Sequence, residues 1–365
     1  MLAAFAAVSC AGTIDGDDNT GDIPEEYTEP FTLSVDKAEV EADGKDYVTF
    51  SLKDVYEREM LDDKNALQSV NIISDSGIHV KRMTATATFI ANGTHKFHAT
   101  FKGKESVNEV TVKAANRGKY EKYHRNVGLF KCTSVWCSAC PSLAENLHGL
   151  SAETKDHAVV IAFHGNFGNK DPFSLYLSDG TDLGSYVLGY FGGAGWPTLV
   201  YDLDKVATGA VTTSDLETEI MKRRVDYPAT CGIKVNSVSL EGTSLKVSAS
   251  LKSAVGGDYD LACAVLRDGL KYSGGYSAED KGIYDEVAVA LSESFLGYYK
   301  GKELDADEEM TEVFSFDFGE NVPSEAELDT FYVAVYANRK TSDGSVMDNI
   351  VTCGYGENID YRLND

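Results

Sequence analysis

No apolar run in the 365 residues reaches the ~18 needed to cross a bilayer as a helix, so no helical span is expected. Positive charge is also scarce. Lys and Arg total 33 against 58 Asp and Glu, a formal charge of −25. With no Lys/Arg run to offset this, the chain repels phosphate backbones, and nucleic acid is not expected as a partner. A second C-x-x-C is missing, and so is any His-x₃-His, so the single C-x-x-C lacks the further ligands a structural zinc would need. Neither metal nor cofactor is expected. Short-period repeats are absent as well. What is present, 43% apolar and 25% charged residues, is ordinary for a folded chain, and the length suits two or three domains.

The N-terminus, M-L-A-A-F-A-A-V-S, is apolar and runs into Cys10, after which the chain turns polar and acidic. Small residues ahead of a cysteine resemble the lipobox of bacterial lipoproteins, where the signal is removed and the new N-terminal cysteine is lipid-modified. That resemblance implies residues 1–10 as the end of a signal, Cys10 as the lipid anchor and residues 11–30 as an acidic tether. Ala7 departs from it, standing where a lipobox favours Leu. The lack of a basic stretch before the apolar run implies a coding start upstream of Met1. Acidic residues just after the cysteine resemble surface-export signals of some Gram-negative lipoproteins. The expected location is the outer membrane or cell surface, with membrane attachment by lipid alone.

Residues 31–116 alternate with period two: Phe31, Leu33 and Val35; Val48, Phe50 and Leu52; Phe97, Ala99 and Phe101; Val110 and Val112. Turn clusters at sandwich-like intervals separate them, and the segment resembles a bacterial immunoglobulin-like module. His95 and His98, three apart on a strand, face opposite ways and cannot share a metal. Residues 117–125 read as an interdomain crossing that opens the next segment. Residues 117–228 mix strands with helices. Strands are predicted over Val127–Lys131, Ala158–Phe163 and Thr198–Tyr201, and helices over Pro141–Leu150, Leu183–Phe191 and Ser214–Val225. The last opens with the capping box Ser214-x-x-Glu217. This order predicts a partly parallel sheet covered by helices. Residues 229–365 return to period two, as in Leu245-Val247-Ala249-Leu251 and Phe331-Val333-Val335, and predict a second β-sandwich. The Tyr- and Gly-rich stretch Lys271–Gly282, with Tyr276 within it, reads as a long loop or a binding surface.

The chemistry concentrates in Val135-Trp136-Cys137-Ser138-Ala139-Cys140-Pro141, between a predicted strand and a predicted helix. A cysteine at a helix N-terminus faces free N–H groups and the positive dipole end, which favour its thiolate. Two intervening residues let the second thiol close a disulfide. Cys137 is the expected exposed nucleophile, and Cys140, one turn inside the helix, the buried resolving thiol. A purely structural small-loop disulfide is the alternative. Gly195-Trp196-Pro197-Thr198 then precedes the strand Thr198–Tyr201. With W-C-x-x-C upstream, it resembles the thioredoxin fold over about Tyr123 to Tyr227. The resemblance implies a cis Trp196–Pro197 bond facing the cysteines ahead of a third, parallel-type strand. It also implies a Trp196 backbone that pairs with an extended substrate chain, and an inserted helical segment over 167–195. Overall, the expected architecture is multidomain: an Ig-like β-sandwich, an α/β thioredoxin-like fold and a C-terminal β-sandwich. A lipoprotein start, C-x-x-C-P in a thioredoxin-like centre and a final sandwich resemble the twenty-eight-kilodalton outer-membrane protein family. Leu266–Leu270 and Phe331–Asn338 match that family's strand–turn pattern.

Lys131 stands six residues before Cys137, where thioredoxin-like strands carry a buried acid. Near the thiols it would favour the thiolate; equally, it would point its ammonium to solvent. His164, ending a strand, is a candidate proton shuttle or a mere strand cap. Trp136, Trp196 and Thr198 are the supporting residues. Of the other cysteines, Cys132 is expected to be a buried small hydrophobe, and Cys263 and Cys353 are a candidate bridge. Two function classes stay open. One is thiol–disulfide exchange with extracytoplasmic protein thiols and disulfides through Cys137, Cys140 and Pro197. The other is a surface binding, adhesion or assembly lipoprotein whose scaffold is not catalytic.

Overall fold

Alternating apolar residues give each strand a face to bury, and the cores in the computed structural model follow that alternation. The structure describes residues 26–364 except 43–45, 90–91, 116–121, 276–281 and 342–343. Cys10, the tether up to residue 25, part of the crossing over 117–125, and Tyr276 lie outside the described residues. Among the described residues, no helix is long and apolar enough to cross a membrane.

The chain is mostly β-structure in several sheets. In the first segment, a three-stranded sheet (Thr32–Val35, Tyr47–Lys53, Thr86–Thr88) shares one core with a five-stranded sheet built around Gly93–Phe101 and Val110–Ala114. Leu33, Phe50 and Leu52 from one meet Phe97, Ala99 and Val112 from the other.

The next segment begins with β1 (Val127–Thr133), buried along its whole length, and α1 (Cys140–His148). β2 (Ala158–His164), α2 (Leu183–Tyr190), β3 (Thr198–Tyr201), β4 (Lys205–Thr208) and α3 (Thr213–Asp226) follow. β1 and β2 pair in parallel, as expected. β3, however, pairs antiparallel with β1, which corrects the expected parallel-type strand. α3 starts earlier than its predicted capping box. Its N-cap is Thr212, whose hydroxyl accepts from the Asp215 amide, while Glu217 accepts from the Ser151 amide instead.

The last segment contributes β5 (Cys231–Glu241), β6 (Ser244–Ser253), β7 (Gly257–Arg267), β8 (Val287–Leu291), β9 (Glu309–Asp317), β10 (Phe331–Thr341) and β11 (Gly344–Gly354). β5, β6 and β9 form a separate three-stranded sheet. The others do not. One nine-stranded sheet runs β4-β3-β1-β2-β8-β7-β10-β11, with Lys302–Leu304 added beside β7. It crosses the expected boundary at 228/229 through a parallel contact between β2 and β8, where the Ala162 amide donates to the Glu286 carbonyl at 2.8 Å.

Both faces of this sheet are covered, and β7 shows how the sequence allows it. Leu261, Cys263 and Val265 enter the core against β5 and β6. Ala262, Ala264 and Leu266 enter a second core with Phe130, Phe163, Val187 and Tyr336, so one apolar layer spans β1, β2, β7 and β10 under α2. α1 and α3 cover the central strands on the other side through Leu143, Leu147, Leu216 and Ile220. Among the described residues, the cysteines outside the motif, Cys132, Cys231, Cys263 and Cys353, are free and buried. Cys263 and Cys353 are not bridged, because β10 lies between their strands: Cys263 sits opposite Val335 and Cys353 opposite Val333. Two strand spacings, about 9–10 Å, exceed a disulfide's reach.

Asn349 on β11 ties the segments together. Its Oδ1 accepts from the Asn126 amide at 3.1 Å, and its Nδ2 donates to the carbonyls of His124 at 2.9 Å and Cys231 at 3.1 Å. The entries to β1 and β5 are thus held by one buried carboxamide. Asn349→Ala leaves several buried backbone groups unpaired and is expected to cost roughly 2–4 kcal/mol, read as a lower urea midpoint. A midpoint equal to wild type would refute this.

Candidate functional site

Strand register brings most of the expected site residues to one end of the nine-stranded sheet. His164 at the end of β2 sits beside Thr133 at the end of β1, and Thr198 at the start of β3 sits beside Cys132. The 134–139 turn leaves that sheet end and feeds α1. Cys137 and Cys140 are joined as a disulfide, with Cα atoms 5.4 Å apart. Pro141 fits the first turn of α1 because its missing N–H has no partner to lose there. Cys140 opens the helix rather than lying one turn inside it. The expected contrast in exposure between the two cysteines is also absent. Cys137 is 2% and Cys140 1% exposed, while Ser138 and Ala139 form the exposed part of the turn.

The Trp196–Pro197 bond is cis, and Pro197 is buried. Thr198 fastens this turn by donating its hydroxyl to the Gly195 carbonyl at 2.6 Å. Gly184 permits α2 to cross the end of β2 closely, since a Cβ there would strike the backbone of His164 and Gly165. Trp136 donates its indole N–H to the Lys170 carbonyl at 2.9 Å and meets Tyr272 edge-on. Gly275 lies so close to the Val135 carbonyl that no side chain fits. The described part of the Tyr/Gly-rich stretch therefore lies against the cysteine turn.

Lys131 does not reach solvent. It is 2% exposed, and its Nζ lies 3.4 Å from Glu286 Oε2, a carboxylate brought by the turn that enters β8. His164 is buried, with Nδ1 3.1 Å from Asp171 Oδ2 and with Phe173 and Tyr284 edge-on to its ring. Asp171 also accepts from the Val135 amide at 2.7 Å and the Phe173 amide at 2.8 Å. Burial alone would raise its pKa. The hydrogen bond and charge of His164, with the two backbone donors, outweigh burial and hold the carboxyl below its ordinary 3.8. Burial pushes the Cys132 thiol up to about 12, so it is not a competing nucleophile.

Sequence reasoning missed Asp171 and Glu286. Asp171 lies in the segment read only as an insertion, in the stretch Asp171-Pro172-Phe173. The Asp-Pro step was a turn signal but not a sign of a partner for His164. Nothing in the sequence pairs Glu286 with Lys131, 155 positions away.

The architecture so defined is a multidomain, β-rich chain with a disulfide turn at the end of its largest sheet. No protein-family model matches the chain, and no curated protein sequence matches it. Among solved structures it is similar in fold to HBP35 of Porphyromonas gingivalis, at 18% identity and a TM-score of 0.51, over 64% of this chain and 76% of that one. A protein of Agrobacterium tumefaciens aligns at 16% identity and a TM-score of 0.42, over 66% of this chain and 97% of that one.

Asp171→Asn removes the charge facing His164 and is expected to lower stability at neutral pH. A carboxyl with a depressed folded pKa contributes stability above its unfolded value of 3.8, and that contribution is lost as pH falls through the lower folded value. The gap between wild type and variant in urea unfolding should therefore shrink as pH falls below 3.8. A gap independent of pH would contradict the assignment.

Proposed function

We propose that this chain is a cell-envelope or surface lipoprotein anchored through Cys10. Its thioredoxin-like central segment, 117–228, exchanges thiols and disulfides with extracytoplasmic proteins. The segment 31–116 is an Ig-like spacer, and the C-terminal β-sandwich both docks and completes the site. The observation that carries this reading is the Cys137–Cys140 disulfide at the start of α1, at the same sheet end as Trp196–Pro197.

In the reducing direction, the Cys137 thiolate attacks one sulfur of a substrate disulfide and expels the other as a thiolate. The Cys140 thiolate then attacks the Cys137 sulfur, closes the pair and releases the second substrate thiolate. Two electrons pass to the substrate, and the reverse sequence oxidises it. The Cys140 thiol must lose a proton before it attacks. The Glu286 carboxylate beside Lys131 is the nearby-strand group suited to receive it, in place of the acid that the strand lacks. His164, oriented by Asp171, supplies a second titratable group at that sheet end.

The burial of Cys137 supports a second reading, in which the pair is a sealed staple in a surface binding protein. The equilibrium between reduced and oxidised Cys137/Cys140 in glutathione buffers, read by alkylation and mass spectrometry, separates the two. Exchange chemistry predicts a reversible couple between about −120 and −270 mV. A pair that stays oxidised to below about −300 mV is a staple, and the binding reading then replaces the enzymatic one.

A further inference from the structure

A cavity of about 850 Å³ opens at the opposite end of β1 from the cysteines, where three parts of the chain meet. His124 and Arg125 line it ahead of β1, Asp156 and His157 ahead of β2, Arg224 near the end of α3, and Arg362 from the C-terminal segment. Asn92 of the first segment closes one side and donates to the Val225 carbonyl at 3.3 Å. In a chain of formal charge −25, the described residues of this wall include three arginines and two histidines against one acid. Asp156 is taken up by Arg362, and Arg125 by Asp202 at 2.8 Å. Among the described residues, no carboxylate pairs with Arg224, which is half-buried.

The imidazoles are oriented by backbone carbonyls. His157 uses Nδ1 on the Arg125 carbonyl at 2.8 Å, and His124 uses Nε2 on the Asp156 carbonyl at 3.0 Å. Each ring thus keeps a second nitrogen free of the carbonyl that orients it. The rings stack at 4.2 Å with 15° between their planes. Burial lowers the pKa of His157, and the charges of His124 and Arg224 act in the same direction, against the Arg125 carbonyl and Asp156.

We propose that this cavity binds a small organic molecule through its phosphate group, held by Arg224 and Arg362. Two guanidinium forks match the several acceptor oxygens of a phosphate. The volume falls in the range of small-molecule pockets, which favour junctions between segments. Donor atoms of His124, Asp156 and His157 also lie within 4.8 Å of one another, a spacing that suggests a metal. Two features disfavour one. Arg362 occupies the carboxylate, and Arg224 adds positive charge beside the rings.

The test is calorimetry on the whole chain, with glycerol 3-phosphate and inorganic phosphate as separate probes, for wild type and Arg224→Gln. Glycerol 3-phosphate is expected to bind, and the variant to bind it at least about tenfold more weakly, the loss of one charge-assisted hydrogen bond. Thermal unfolding without probe should match wild type, since among the described residues no carboxylate pairs with Arg224. Inorganic phosphate binding as tightly would place the affinity in the phosphate group itself and support the proposal. No heat at about 10 mM of either probe, or equal affinity in the variant, would overturn it. So would stoichiometric zinc binding lost in His157→Ala. Arg224-dependent sedimentation with phosphatidylglycerol vesicles, without binding of the soluble probes, would overturn it in favour of a lipid headgroup.

Discussion

The buried Asn349 carboxamide is the joint on which this architecture rests. It satisfies backbone groups at the entries of β1 and β5 from a position on β11, where a hydrophobic residue would leave them unpaired. Asp348 beside it accepts from the Thr230 and Cys231 amides at 2.8 and 3.0 Å. With these entries fixed, β2 and β8 come into parallel contact, and the nine-stranded sheet runs unbroken through two chain segments. The apolar layer of Phe130, Phe163, Ala264 and Tyr336 then becomes one core.

That continuity determines how the disulfide turn is built. A free-standing α/β segment would have to supply every group around Cys137 and Cys140 itself. Here the C-terminal segment brings Glu286 to Lys131, Tyr284 to His164, and Tyr272 with Gly275 to the Trp136 turn. The 167–195 segment brings Asp171, which holds both His164 and the Val135 amide. Buried polar groups need partners, and Lys131 and His164 at this sheet end both have carboxylates from outside their own strands. Any redox behaviour of the pair is therefore set by the whole chain.

Much of this was legible locally. Leu245-Val247-Ala249-Leu251 read correctly as a strand because burial there repeats every second residue, and Thr198–Tyr201 as a short apolar run buried on both faces. The disulfide turn between a strand and a helix was equally visible, since Trp136, the cysteine spacing and Pro141 all act within one turn. The α3 capping residue was misjudged by two positions, Ser214 for Thr212. Thr212-Thr213-Ser214 offers several capping hydroxyls, and only packing decides that Thr212 caps Asp215. What the sequence did not carry is pairing over long separations. Val287–Leu291 has a strand's composition, but its partnership with β2 rests on backbone hydrogen bonds that no side-chain pattern encodes. The depth of Cys137 was hidden for the same reason, because the elements around it come from distant sequence.

The disulfide-bearing strands and the C-terminal strands form one cooperative sheet. Native-state hydrogen exchange at rising, sub-denaturing urea tests it most directly, comparing amides of β1 and β2 with those of β7 and β10. A single sheet predicts that all four strands open with one free energy and one urea dependence. Opening of β1 and β2 at lower free energy, while β7 and β10 stay protected, would show two independent units and contradict the account.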